Sequence, residues 1–151
     1  MNDIFKNRII LLDRLFKIIE IDYQDLKNLE IDEKLFENIE KSRIISSFLF
    51  NFLKIQDMLG AKFFKELLYE LKEIEEKHLP MLDILYKLER LNIIGNIEEW
   101  DEIREVRNFI THEYPLNENR INTLKKALIY YPKMKKIYLE AKKYLKEKGL
   151  I

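Results

Sequence analysis

The chain contains no cysteine and few glycines or prolines, and these scarcities narrow its fold class. Its 151 residues include no cysteine, three glycines and three prolines. Without cysteine, neither a disulfide framework nor a thiolate zinc site can form. A fold of many β-strands needs a turn about every eight to twelve residues. The scarcity of the usual turn residues therefore disfavours such a sheet.

Long apolar runs and net charge are also missing. No uncharged apolar run approaches the roughly 18 residues of a membrane span. Met1, Asn2 and Asp3 do not resemble the start of a signal peptide. We therefore expect a cytoplasmic protein that makes no contact with a membrane. The 27 basic and 27 acidic residues cancel, so any binding of nucleic acid must use a local patch.

Lysines in the C-terminal part of the chain form one candidate for such a patch. They are Lys125, Lys126, Lys133, Lys135, Lys136, Lys142, Lys143, Lys146 and Lys148. The alternative interpretation is a solvated helix face, which is the more common role of such a charge run.

The residues that are present favour helices throughout. Hydrophobic residues make up 47% of the chain, and they recur every three to four positions in most segments, as on one face of a helix. The predicted helices are 5–20, 32–59, 63–74, 80–91, 96–115 and 117–148. Asp32, Asn96 and Asn117 are the predicted N-caps of the second, fifth and sixth helices. Gly60 is predicted to be the left-handed residue beyond the end of the second helix, and Pro132 is predicted to kink the last one. We expect a single domain over residues 1–151. Its fold class is all-α, an antiparallel bundle of five to six helices with short loops.

Polar residues whose side chains suit catalysis or phosphate binding are concentrated on the predicted helix 96–115. Arg104, Asn108 and His112 lie four positions apart and share one strip of the helix. Arg107 lies at the edge of the apolar face, about 140° around the axis from His112. A single straight helix would not point both side chains at one atom. Either the last turn unwinds before Pro115, or two subunits share one cleft.

An arginine and a histidine together suit the cleavage of RNA without a metal. The histidine can take the proton of a 2′-hydroxyl group. Arginines can stabilise the charge of the phosphorane, and Asn108 can orient a phosphate or the imidazole. One histidine without thiols or a carboxylate pair is a weak metal ligand set, so we expect no metal and no cofactor.

Structural roles are the alternative for the same residues. Arg107 and His112 can form ion pairs with acidic neighbours, for which the candidates are Glu99, Glu102 and Glu113. Tyr114 is in isolation more often a packing residue with a solvated hydroxyl group.

The segment Arg107-Asn108-Phe109-Ile110-Thr111-His112-Glu113-Tyr114 resembles the R-N-x-x-x-H-x-Y signature of HEPN domains, specifically the HepT-like toxins. Trp100-x-x-x-Arg104-x-x-Arg107, Glu113-Tyr114-Pro115 and Gln56-Asp57-x-x-Gly60 are similar to one HepT-like subgroup. The all-α bundle is also the fold that this resemblance implies.

The resemblance implies a metal-independent endoribonuclease that acts as a homodimer on RNA. Arg107 and His112 would be catalytic, with Asn108 and Arg104 in support, and Asp57 would orient an arginine or the histidine. The partner would be an antitoxin with a nucleotidyltransferase fold, and in some pairs that antitoxin transfers AMP to the motif tyrosine, here Tyr114.

Three hypotheses follow from the sequence. The first is a ribonuclease toxin of a toxin–antitoxin pair. The second is a catalytically silent HEPN module that partners a nucleotidyltransferase. The third is a purely structural bundle in which the motif is paired internally.

Overall fold

The computed structural model describes residues 1–112, 114 and 119–151, and the regular elements of that part are helical. They are α1 (Asp3–Leu26), α2 (Glu33–Glu37), α3 (Ile39–Met58), a π-helical turn (Leu59–Phe63), α4 (Phe64–Glu70), α5 (Met81–Arg90), α6 (Ile97–His112) and α7 (Arg120–Glu147). No strand occurs among these residues. The predicted all-α class is therefore confirmed. Apart from the five-residue α2, the described part contains six α-helices.

Capping side chains set several helix boundaries, and one of them corrects the prediction. Asp32 accepts a hydrogen bond from the Leu35 amide at 3.0 Å, as expected of an N-cap. The helix that it begins ends after one turn, because Asn38 adopts an extended backbone with φ −77° and ψ 117°. Asn38 then accepts a bond from the Lys41 amide at 3.0 Å and begins α3. The single helix predicted from Asp32 to Leu59 is therefore two helices.

Other boundaries also differ from the predicted ones. The first helix continues past Glu20 to Leu26, since Leu26 is fully buried and extends the apolar face. The predicted helix 63–74 is shorter, because α4 ends at Glu70. Pro80 lies at the N-cap of α5. The cap predicted at Asn117 lies outside the described residues.

A repeated polar contact joins α1 to α7 across the core. Tyr131 donates its hydroxyl hydrogen to Glu20 Oε1 at 2.7 Å, and Lys135 Nζ donates to the same oxygen at 2.8 Å. Seven residues further along α7, Tyr138 donates to Asp13 Oδ1 at 2.6 Å and Lys142 Nζ donates to it at 2.9 Å. Burial and the adjacent carboxylates raise the pKa of both tyrosines far above the ordinary value.

These contacts assign structural roles to part of the predicted lysine patch. Lys135 and Lys142 are committed to acids on α1, so they are poorly placed to bind phosphates. α7 itself runs continuously through Pro132. None of the helices in the described ranges is long and apolar enough to cross a membrane.

Candidate active site

A cleft of about 470 Å³ opens between the C-terminal end of α3 and the middle of α6. Asp57 lines it from α3, and Arg104, Arg107 and Asn108 line it from α6. Four of the residues predicted from sequence are thus brought together, although Asp57 lies 50 positions from Arg107 in the chain. Clustering of charged groups in a concave site is typical of a functional centre.

A glycine at the floor of the cleft allows the backbone to pack closely against an indole ring. Gly60 lies in the π-helical turn, where a Cβ atom would come within 3.1 Å of Trp100 Cζ2. Trp100 is 1% exposed and meets Phe64 edge-on, with the ring centroids 4.8 Å apart. The prediction that Gly60 is a left-handed residue beyond a helix end was wrong. Its role is the close approach of the backbone to the indole ring.

A two-point ion pair holds Arg107 in the cleft. Its Nε and Nη2 atoms donate to Asp57 Oδ1 and Oδ2 at 2.8 and 3.2 Å. The hydrogen bond to Asp57 raises the pKa of Arg107, so the guanidinium keeps its charge. Asp57 was predicted to orient an arginine or the histidine, and it contacts the arginine.

The pair with Asp57 uses only one side of the guanidinium. An arginine has five N–H donors. Asp57 uses two of them, from Nε and Nη2. Within residues 1–112, 114 and 119–151, both hydrogens of Nη1 and the second hydrogen of Nη2 have no acceptor. These lie along the outer edge of the fork, which matches two oxygens of a phosphate.

Each of the two arginines that line the cleft is paired with an acid. Arg104 Nη2 lies 3.3 Å from Asp101 Oδ1 at the exposed rim, and Arg107 is paired with Asp57. The alternative that Arg107 pairs with Glu99 or Glu102 is therefore not what the structure contains. Glu113, the third acid considered, lies outside the described residues. In the described part, no three His, Asp or Glu side chains form a group that could hold a metal ion.

His112 lies apart from the cleft. The helix α6 is regular through His112, so the imidazole is about 140° around the axis and about 7.5 Å along it from Arg107. His112 is exposed and does not line the cleft. Within one chain the two residues that were predicted to be catalytic do not converge. Because the helix persists to His112, unwinding upstream of that residue cannot bring them together.

Tyr114 lies in an aromatic contact beyond the end of α6. Its ring is half-buried and packs against Phe36 of α2, with centroids 6.5 Å apart and planes inclined by 46°. The guanidinium of Arg120 lies 4.6 Å from the centre of the same Phe36 ring. Glu33, which accepts a hydrogen bond from Arg120, raises the pKa of Arg120, and Tyr114 adds to that shift. The packing role that was considered for Tyr114 thus has a definite partner.

Gln56 lines the cleft but was not predicted from the sequence as a site residue. It is only 4% exposed. Its position beside Asp57 in the Gln56-Asp57-x-x-Gly60 pattern was the available signal. Comparisons of the whole chain with protein-family models, curated proteins and solved structures produced no match.

Proposed function

We propose that this protein is a metal-independent endoribonuclease toxin of the HepT-like HEPN type that acts in the cytoplasm. The observation that carries the proposal is the Asp57–Arg107 pair, which holds a guanidinium in a cleft, and among the described residues only Asp57 accepts hydrogen bonds from that guanidinium. Arg104 and Asn108 line the same cleft and add donors for a second phosphate oxygen.

The proposed reaction is a transesterification. His112 takes the proton from a 2′-hydroxyl group, and the 2′-oxygen attacks the adjacent phosphorus. Arg107 stabilises the additional negative charge on the phosphorane oxygens. The bond to the 5′-oxygen then breaks, and that oxygen takes up a proton. The products are a 2′,3′-cyclic phosphate and a 5′-hydroxyl end.

The proposed site is shared between two copies of the chain. In a twofold arrangement that brings two α6 helices together in antiparallel fashion, Arg107 of one copy lies level with His112 of the other when the axis crosses α6 near Phe109. Lys126 Nζ lies 4.4 Å from the centre of the Phe109 ring. Part of the lysine patch therefore adjoins the stretch of α6 that the proposed axis would cross, where it can contact RNA phosphates.

The first experiment asks whether the purified protein cleaves RNA in the presence of EDTA. We expect wild type to cleave, and His112→Ala to be slower by about 10²- to 10⁴-fold, which is the usual contribution of a general base. If wild type and His112→Ala behave identically, in either direction, the assignment fails.

The second experiment tests the shared site by mixing two inactive variants. Arg107→Ala and His112→Ala subunits that exchange randomly form mixed dimers, in which one of the two sites keeps both residues. Activity should return to about a quarter of wild type. The control is the Arg107→Ala/His112→Ala double variant, which cannot restore either partner by exchange. If the two single variants form mixed dimers that stay inactive, the two residues do not act across an interface.

A catalytically silent module that partners a nucleotidyltransferase is the second candidate. The observation that favours it is that both arginines of the cleft are paired with acids, together with the separation of His112 from Arg107 in one chain. This candidate predicts a tight complex with the transferase and no cleavage of RNA.

The proposal also includes transfer of AMP to Tyr114 by the partner transferase, and this step has its own test. Co-expression with the partner transferase, followed by intact-mass measurement, should reveal added AMP units. Tyr114→Phe should lack them. Adducts that persist in Tyr114→Phe would exclude Tyr114 as the sole acceptor.

A further inference from the structure

Gln56 combines deep burial with an unused amide. Its side chain is 4% exposed, and among the described residues none forms a hydrogen bond with that amide. The only fully enclosed side-chain polar atom without a partner in the same residues is Thr123 Oγ1. The Gln56 amide is therefore not sealed in the core, and the opening it faces is the cleft that it lines.

A largely buried amide of this kind costs folding free energy, because most of its contact with water is lost and no described residue replaces those hydrogen bonds. Leucine at the same position would avoid this cost. A glutamine that bears the cost at the floor of a cleft is typical of a residue that meets a ligand.

The surroundings of Gln56 restrict what that ligand can be. The buried lining residues beside it, Gly60 and Trp100, are apolar and form the floor, whereas the side chains of Arg107 and Arg104 are 29% and 55% exposed. A ligand suited to this lining has an apolar body for the floor, an edge with a donor next to an acceptor for the amide, and an anionic group for the arginines. A nucleotide has all three.

We propose that the floor of the cleft is a nucleobase subsite in which Gln56 binds the edge of one base of the RNA. The amide nitrogen donates to a ring nitrogen or carbonyl oxygen of the base, and the amide oxygen accepts from the neighbouring N–H group. Arg107 and Arg104 hold the attached phosphate. Gln56 thus determines base preference. This inference rests on the proposed function for the identity of RNA as the substrate.

Trp100 provides a direct readout of binding, because it is the only tryptophan of the chain and forms the floor of the cleft. Its fluorescence, excited where tyrosines do not absorb, is titrated with each of the four nucleoside 3′-monophosphates. We expect one base to bind more tightly than the others. Adenosine monophosphate is titrated first, because a glutamine amide pairs with adenine through two hydrogen bonds. Equal binding of all four, or binding of none, overturns the inference.

Two variants of Gln56 complete the experiment. Gln56→Leu should bind the preferred monophosphate roughly tenfold more weakly, and its melting temperature should stay equal or rise, since an unpaired buried amide is removed. Gln56→Glu has nearly the same shape but no N–H donor, so it should also lose the preference. Unchanged binding in both variants, or a preference that survives in Gln56→Glu, overturns the inference. If Gln56→Leu fails to fold, Gln56→Glu decides alone.

The two proposals can fail separately. Binding is measured in the His112→Ala background as well, where the proposed cleavage is lost but the subsite is intact. A protein that binds a nucleobase through Gln56 but never cuts RNA refutes the ribonuclease proposal alone. A protein that cuts RNA with the same base preference in wild type and Gln56→Glu refutes the subsite alone.

Discussion

Replacement of Asp57 by asparagine separates a structural from a functional role of the Arg107 pair. The side chains of Arg107 and Asp57 are 29% and 47% exposed, so solvent screens most of their attraction. Exposed ion pairs of this kind contribute at most about 1 kcal/mol to the free energy of unfolding. For a chain of this size, that corresponds to a fall of about 2–4 °C in the melting temperature.

The effect on cleavage should be much larger than the effect on stability. Asparagine presents one oxygen where Asp57 accepts hydrogen bonds on two, so the guanidinium can turn about its axis. A displacement of about 1 Å at a reacting centre can reduce the rate by about 10²-fold. We therefore expect kcat/KM for RNA cleavage to fall by about 10- to 100-fold in Asp57→Asn.

Thermal unfolding and cleavage kinetics are measured on the same preparations. Glu40→Gln is the matched control, because it removes one acid from another exposed pair on α3, with Arg43 at 3.6 Å, outside the cleft. This control should change neither quantity. If Asp57→Asn instead loses more than about 8 °C while its kcat/KM is unchanged, the pair is structural and the assignment of Arg107 is refuted.

Three further changes test the floor of the cleft and the core. Gly60→Ala places a methyl group 3.1 Å from Trp100. Overpacking costs about 1–3 kcal/mol, which should exceed the gain of about 1 kcal/mol in helix propensity, so we expect the melting temperature to fall. A rise in melting temperature would show that the indole ring moves aside. Tyr138→Phe removes the hydrogen bond to Asp13 at 2.6 Å and should lower the free energy of unfolding by about 1–3 kcal/mol in urea titrations; an unchanged midpoint would contradict a role for that bond. Burial raises the pKa of Glu20, but the hydrogen bonds that it accepts outweigh burial and lower it below its ordinary value of 4.5. Glu20 therefore stabilises the fold above pH 4.5, and this stabilisation is lost as the pH falls through the lowered pKa. In Glu20→Gln, the melting temperature should depend less steeply on pH in the acid range. Parallel curves for the two proteins would refute this.

Periodic apolar residues were sufficient to predict where the helices lie, because burial of one face determines helical spacing. The residues at which the helices begin and end were harder to predict from the sequence. Leu26 lies at the end of α1 and is fully buried, and this burial depends on the packing of the whole fold rather than on neighbouring residues. Asn38 divides the predicted second helix into two. Asparagine is a known capping residue, but nothing in the neighbouring sequence indicates that the chain turns at this position.

The candidate site shows a similar division. Arg104, Arg107 and Asn108 could be grouped from helical spacing alone, because they are close in the chain. The contact of Arg107 with Asp57 depends on the packing of α3 against α6, and only the resemblance pattern pointed to it. The π-helical turn at Gly60 has no reliable sequence signal, so this glycine was interpreted as the end of a helix.

A shared site needs a surface that can hold a second copy, and the polar strip of α6 is not sufficient for this. Hydrated side chains such as Asn108 and His112 gain little when they are covered. Phe50 is 60% exposed and precedes Asp57 by seven residues, so it lies on the same face of α3, about 10 Å away. A second copy that covers the cleft can therefore also cover an aromatic ring, whose burial favours association. The positions of Phe50 and His112 thus lead to the same expectation, namely that one chain carries an incomplete centre beside an apolar contact for its partner.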